Sequence, residues 1–374
     1  MYIAAMLPEQ EHDERFYQIA LSFIPHVGGK IGRALLAHFG NASNVFHAPV
    51  KQLMQIDGIT EGRVKAFKDT EILKRVEKEY NFVLKNDIQI IYPDKLSARL
   101  NQCSDAPLML YYKGNANLDA AKIVAIVGTR KNTDYGHQVT EELVEGLRGE
   151  EGMLIVSGLA SGIDAIAHKK CVQLGIPTVG VLGHGLDRVY PHTNKHLAEQ
   201  MVENGGLLSE FPSETIPDRN NFPMRNRIVA GMSDVTIVVE SNIAGGALIT
   251  AHMASGYNRE VAAIPGRVND SRSAGCNDLI RKNIAAMITN ADDLLDLMNW
   301  SQSKKQRPVQ KQLFINLLPE EQKIVDLLQT KDSIHADELM HHTGLANSQL
   351  AATLLQLEMQ GIIKTLPGKH YRMY

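Results

Sequence analysis

The chain runs to 374 residues, longer than one hydrophobic core usually organises, so two or three domains are expected. Apolar residues make up 44% and charged residues 22%, which excludes a disordered or collagen-like chain. The formal charge of −3 gives no global attraction for a polyanion, so a nucleic-acid partner would have to be held by a local basic patch.

The N-terminus, with Glu9, Glu11, Asp13 and Glu14, lacks the basic-then-apolar order of a leader, and no apolar run reaches bilayer length. Cys103, Cys171 and Cys276 are far apart and show no metal-ligand spacing, so no metal is expected. They read as reduced thiols of a cytoplasmic protein with no membrane partner.

Residues 1–80 read as a helical domain. "IPHVGGKIGRALLAHFG" and "LMQIDGITEGRVKAF" each set a glycine turn between short helical patterns, as in a doubled helix-turn-helix. Backbone N–H groups at such turns can receive phosphate at the next helix N-terminus, and Lys30, Arg33, Arg63 and Lys65 lie nearby; plain hairpin packing explains the same pattern.

Residues 81–298 change character. "KIVAIVGTR", "MLIVSGLA", "PTVGVLGHG", "GLLSEFP", "VTIVVES" and "EVAAIPG" read as buried strands, alternating with helical patterns such as "GHQVTEELVEGL" and "GIDAIAHKKCVQLG". This alternation predicts a doubly wound, mostly parallel α/β sheet, whose ligands bind beyond the carboxyl ends of its strands. A polar stretch over 299–314 reads as a linker. Residues 315–374 give three helical patterns and a terminal hairpin around Pro367 and Gly368, the plan of a winged helix. Its presumed recognition helix, "NSQLAATLLQLEMQ", has no Lys or Arg and carries Glu358, which favours a protein-contact role over DNA readout; Lys364, Lys369, His370 and Arg372 offer only backbone contacts from the wing.

The post-strand loops carry the candidate chemistry. Gly128, Thr129, Arg130 and Lys131 follow the first strand, joining a permissive backbone, a hydroxyl and a guanidinium fork suited to phosphate. Ser157 and Gly158 end the second strand, before "SGID" at a helix entry. "GHGLDRVYPHTNKH" supplies Arg188, Tyr190, His192, Asn194 and Lys195 as candidate contacts. Gly245, Gly246 and Thr250 make a further glycine-rich helix entry. Asp164 and His168, four apart, are expected to hydrogen-bond each other in a structural role. Arg225 and Arg227 flank Asn226 in "NNFPMRNRIVAGMSD", just ahead of a strand, as if two guanidinium groups faced one anion. No nucleophile elbow, Walker loop, dinucleotide fingerprint or "H-E-x-x-H" is present.

Taken in order, "VAIVGTR", "VSGLASGIDAIAH", "GLDRVYP", "LLSEFP", "NNFPMRNRIVAGMSD", "GGALITA" and "AIPG" resemble the DprA/Smf family of DNA-processing proteins over roughly residues 95 to 290. The resemblance implies an extended Rossmann-like domain flanked by a SAM or helix-hairpin-helix-like N-terminal domain and a C-terminal winged helix. It further implies a homodimer that binds and protects single-stranded DNA in natural transformation and loads RecA onto it, with no catalysis or cofactor. On this basis Gly128, Thr129 and Arg130 hold phosphates, and Arg225, Asn226 and Arg227 complete the same pocket. The family commonly has a lysine after "Y-P", where this chain has His192, leaving Lys195 or Arg188 for that role. Arg130→Ala and Arg225→Ala are both expected to weaken binding while leaving stability nearly unchanged.

A second reading is a nucleotide-processing enzyme, because "GGALIT" is similar to the phosphate loop of the phosphoribohydrolase or lysine-decarboxylase-like group. Those enzymes place a catalytic glutamate shortly after the threonine; here Thr250 is followed by Ala251 and His252.

Overall fold

The computed structural model describes residues 12–301, 317–331, 333–366 and 368–373. Most of the expected linker, and Pro367 in the wing turn, fall outside these residues. The chain divides into two compact units, residues 1–301 and 302–374.

The first unit opens with six helices: α1 (Glu14–Phe23), α2 (Gly29–Phe39), α3 (Ala42–His47), α4 (Val50–Leu53), α5 (Glu61–Ala66) and α6 (Thr70–Lys85). Asp13, Asn41, Thr60 and Asp69 cap four of them by accepting backbone N–H groups, which fixes where each helix begins. Phe16, Ile19, Leu21, Leu35, Phe46 and Phe67 form their shared core. Gly29, at the start of α2, is required by packing: a Cβ on it would sit 2.1 Å from the Ala106 carbonyl oxygen. Arg33 is also engaged internally, donating to Asn101 Oδ1 at 2.9 Å and to the Pro107 carbonyl at 3.2 Å.

The rest of this unit is a nine-stranded sheet in the order β1-β2-β6-β5-β4-β3-β7-β8-β9. Its strands are β1 (Gln89–Ile91), β2 (Leu110–Gly114), β3 (Lys122–Val127), β4 (Met153–Ser157), β5 (Thr178–Leu182), β6 (Gly206–Ser209), β7 (Val235–Val238), β8 (Glu260–Ala263) and β9 (Ala286–Met287). From β6 to β9 every neighbouring pair is parallel; β2 joins β6, and β1 joins β2, antiparallel. Strands β3 to β7 are buried at nearly every position, as strands covered by helices on both faces must be. The covering and connecting helices are α7 (Ala98–Asn101), α8 (Asp134–Gly146), α9 (Ile163–Leu174), α10 (Lys195–Asn204), α11 (Asn221–Met232), α12 (Gly246–Gly256), α13 (Ala274–Arg281) and α14 (Ala291–Leu297). The doubly wound, mostly parallel sheet read from the sequence is therefore present.

A buried polar knot ties the helices to the sheet. Glu79 of α6, fully buried, accepts the Ser213 N–H at 2.9 and 3.1 Å, the Ser213 hydroxyl, and Arg75 Nη1 at 2.9 Å. Removing the carboxylate strands these donors in a dry site. Glu79→Ala is accordingly expected to lower unfolding stability by about 3 kcal/mol, read from the urea midpoint.

The second unit is the winged helix: α15 (Pro319–Leu328), β10 (Ile334–His335), α16 (Ala336–Thr343), α17 (Asn347–Met359), β11 (Ile363–Leu366) and β12 (His370–Met373). Its strands pair antiparallel in the order β10-β12-β11 over a core of Ile324, Leu328, Leu339, Leu354, Leu357 and Ile363. Glu358, which the sequence sets against DNA contact, accepts the Thr365 N–H at 3.1 Å and so anchors β11 to α17.

Candidate functional site

A concavity of about 50 Å³, open on one side, lies beyond the carboxyl ends of β3, β4 and β5. Three loops and one helix start build it. The loop after β3 gives Arg130, that after β4 gives Gly158, Ala160 and Ser161, and that after β5 gives Gly183, His184, Tyr190 and Pro191. The first two turns of α11 give Phe222 and Arg225.

Phe222 organises the charges. The Arg130 guanidinium carbon lies 4.9 Å from its ring centroid and that of Arg225 6.0 Å. Positions 222 and 225 fall on one helical face, and Pro223 is tolerated because it sits in the first turn. Arg130 is exposed and, among the described residues, has no carboxylate partner, so the ring orients its cation and leaves its N–H groups free. Arg225 is only 5% exposed and donates through Nη1 to the Val181 carbonyl at 2.8 Å. Burial pulls its guanidinium below the ordinary value, with Asp164 opposing and the positive charge of Arg130 adding to the shift.

Asp164 is the buried counter-charge. It accepts the N–H groups of Gly158 at 3.1 Å and Ala160 at 3.4 Å, which folds the loop after β4 around its carboxylate. Burial pushes its carboxyl up, and Arg225 pulls it back. His168 does not pair with it as expected. Its Nδ1 meets the Thr178 hydroxyl at 2.7 Å, and that hydroxyl spends its proton on the Ile155 carbonyl, so Nδ1 carries the imidazole hydrogen. Asp164 and His168 each hold a different strand end, one the loop after β4 and the other β5.

Burial drives the His168 pKa down to about 3, with the Arg225 charge in support. A folded value below the unfolded one contributes stability above the unfolded pKa that is lost as pH falls toward the folded one. Asp164 acts in the opposite direction, its contribution being present at low pH and lost as pH rises through its raised value. Between pH 6.5 and 5, His168 should cost the protein up to about 1.4 kcal/mol per pH unit. Chemical denaturation of wild type and His168→Leu across that window should show the slope in wild type and its flattening in the variant.

Several sequence candidates lie elsewhere, for identifiable reasons. Arg225 and Arg227 are on a helix, not in a loop, and two residues apart they project about 200° around its axis. Arg227 turns away to an ion pair with Glu210 and donates to the Asp105 carbonyl; it does not line the concavity, and neither does the half-buried Asn226 between them. Ser157 is fully buried and donates to the Ile126 carbonyl at 2.6 Å. Thr129 spends its N–H on the Glu240 carbonyl at 2.8 Å and accepts the Lys131 N–H on its hydroxyl at 3.2 Å. Gly128 is required by packing, since a Cβ there would sit 2.5 Å from Ile163. Lys131 is exposed beside the concavity without lining it.

The glycine-rich loop after β7 likewise does not line this concavity. The fully buried Glu240 fills the crevice between β3 and β7, where chain direction across the sheet reverses, accepting the Thr133 N–H at 2.9 Å and the Thr133 hydroxyl at 2.5 Å. Gly245 and Gly246 open α12 away from the lining, and Thr250 is 2% exposed within that helix.

The loop after β5 divides. Tyr190 faces the concavity, whereas Arg188, His192 and Lys195 line a neighbouring groove with Lys113, a residue that sequence reading missed. Arg188 is paired with Asp187 at 2.7 Å, and Lys195 is 4.0 Å from Glu199. Asn194 donates to the Leu159 carbonyl at 2.9 Å and holds the loop. Ser161, at the "SGID" helix entry, does line the concavity; His184 was missed, because nothing in its motif separates a lining residue from its neighbours.

Among the described residues, no group of three or more His, Cys, Asp or Glu side chains is arranged to hold a metal ion, and no helix is long and apolar enough to cross a membrane.

Comparison with known proteins gives consistent matches. A family model described as DNA recombination-mediator protein A matches residues 87–299, and one described as DprA winged helix domain matches 315–369. Protein Smf of Synechocystis sp. is 32% identical, with 96% of this chain and 99% of that protein aligned. The X-ray structure of DNA processing protein A from Streptococcus pneumoniae superposes with a TM-score of 0.65 at 31% identity, covering 77% of this chain and 98% of that one. A structure of DNA processing protein A from Helicobacter pylori, described by its single-stranded DNA binding mode, gives 0.52 at 30% identity, covering 57% of this chain and 98% of that one.

Proposed function

The chain belongs to the DNA recombination-mediator protein A family, and from that premise we propose that it is a cytoplasmic, non-enzymatic protein that binds single-stranded DNA irrespective of sequence. It protects incoming strands and hands them to RecA recombinase during transformation and recombination. The observation that carries the DNA-binding reading is Arg130: an exposed guanidinium without a carboxylate partner, stacked on Phe222 beside the buried Arg225. Arg130 grips a phosphate, and Arg225 adds positive potential from the cleft floor. The groove of Lys113, Arg188, His192 and Lys195 continues the path beyond Tyr190, with Lys113 lacking any side-chain partner among the described residues and Lys195 only 4.0 Å from Glu199.

One such cleft neutralises few phosphates, so a homodimer that sets two clefts on one strand gains affinity through effective concentration. The transfer to RecA rests on family membership. For the winged helix, the exposed Leu355 and Met359 on α17 favour a protein partner over a DNA groove. The test is fluorescence anisotropy with labelled 30-mers of oligo-dT, oligo-dC and mixed sequence. Similar affinities for all three, retained when residues 313–374 are deleted, support the reading; no binding to any of them overturns it.

A further inference from the structure

Between β6 and α11 the chain crosses the surface over residues 211–220, and Ser213 is the one buried residue among them. Its anchor comes from another layer of the molecule. Glu79 of α6, 134 residues away in sequence, accepts both the N–H and the hydroxyl of Ser213, while Arg75 donates to the Ser213 carbonyl as well as to Glu79. Every polar atom of Ser213 is therefore held by α6. The next residue, Glu214, has a φ of 68°, a left-handed conformation that a non-glycine residue keeps only where its surroundings impose it. Its side chain pairs with Lys78 of the same helix at 2.6 Å.

This clamp reaches the cleft by two routes. Glu214 donates its N–H to Asp187 at 3.0 Å, and Gly185 donates its own to the Thr215 carbonyl at 3.2 Å, which laces the segment to the loop carrying His184 and Tyr190. A Cβ on Gly185 would lie 2.4 Å from the Pro212 carbonyl oxygen, so the two stretches touch without slack. In the other direction the segment runs into α11, whose first turn carries Phe222. Two of the elements that line the cleft thus hang from one buried serine. A largely buried ion pair is a weak source of stability, because apolar side chains of the same volume serve a core as well. What the pair of Arg75 and Glu79 adds is direction, through hydrogen bonds aimed at one residue.

We propose that Glu79 and Arg75 are positioning residues for the DNA cleft: by gripping Ser213 they fix the loop after β5 against the start of α11, although neither lines the concavity. The proposal rests on the single-strand reading of the cleft and makes α6 of the helical domain a part of it.

The test uses the full chain carrying Glu79→Gln, which keeps the volume and replaces one acceptor by a donor, or Ser213→Ala, which removes only the hydroxyl. Oligo-dT affinity, measured without urea where each variant is fully folded, should fall about tenfold in Glu79→Gln and about threefold in Ser213→Ala. The salt dependence of binding should keep its wild-type slope, since every phosphate-facing cation remains. Amide hydrogen exchange over residues 211–222 should be faster in both variants than in wild type, and saturating oligo-dT should slow it in wild type. A role confined to stability would lower the urea midpoint and leave the affinity of the folded protein untouched. Wild-type affinity in both folded variants overturns the positioning role while the phosphate cleft stands; if Glu79→Gln does not fold, Ser213→Ala decides alone. If the wild-type protein binds no oligomer, both fall together.

Discussion

Arg130→Ala should weaken oligo-dT binding by about thirtyfold while the variant unfolds at the wild-type urea midpoint. The magnitude follows from losing one charge-assisted contact, about 2 kcal/mol. The unchanged stability follows from exposure: the Arg130 side chain makes no buried hydrogen bond among the described residues, and its stack on Phe222 is at the surface. Arg130→Glu should be worse than alanine, because a carboxylate adds repulsion to the missing grip. Equal affinities for wild type and Arg130→Ala would show that the free guanidinium is not the phosphate ligand.

Arg225→Ala should behave differently, destabilising the fold by about 3 kcal/mol as well as weakening binding. Arg225 is buried against the Val181 carbonyl and offsets the Asp164 charge, so its removal leaves that carboxylate uncompensated in a dry site. This replaces the sequence-based expectation that both arginines act on binding alone. Gly158 gives an independent check, because a Cβ there would lie 1.6 Å from Arg225 Nη1. Gly158→Ala should therefore reproduce both defects of Arg225→Ala, with the guanidinium still present but displaced. A Gly158→Ala variant with wild-type urea midpoint and affinity would refute this account of Arg225.

The parallel sheet was legible because strands covered on both faces must be continuous apolar runs, and "KIVAIV", "MLIVS" and "VTIV" are such runs bounded by Gly, Ser or Asp. Strands β1 and β2 on one side of the sheet and β9 at the opposite edge carry less pattern and were not anticipated. Helix α11 was not read as a helix because Ile228 to Met232 are all buried, which removes the apolar periodicity that signals a surface helix, and Pro223 disguises its first turn. Missing that helix placed Arg225 and Arg227 on the same pocket wall, whereas helical geometry sends them to different partners. The glycine-rich loop after β7 looked equivalent to its neighbours because the side chain that closes the crevice, Glu240, acts on residues more than a hundred positions away. Arg130 was legible as a phosphate candidate, since a strand ending in Gly-Thr-Arg is a local signal. Its hold on Phe222 was not, because that contact spans 92 residues of sequence, from Arg130 to Phe222.

If Arg130 grips DNA phosphate in this cleft, a salt titration reads the contact out. Oligo-dT affinity of wild type should fall linearly on logarithmic axes as salt rises, with a slope of about −0.7 for each phosphate neutralised. The Arg130→Ala line should be shallower by about 0.7, the loss of one phosphate contact. Superimposed lines for the two proteins would contradict the account.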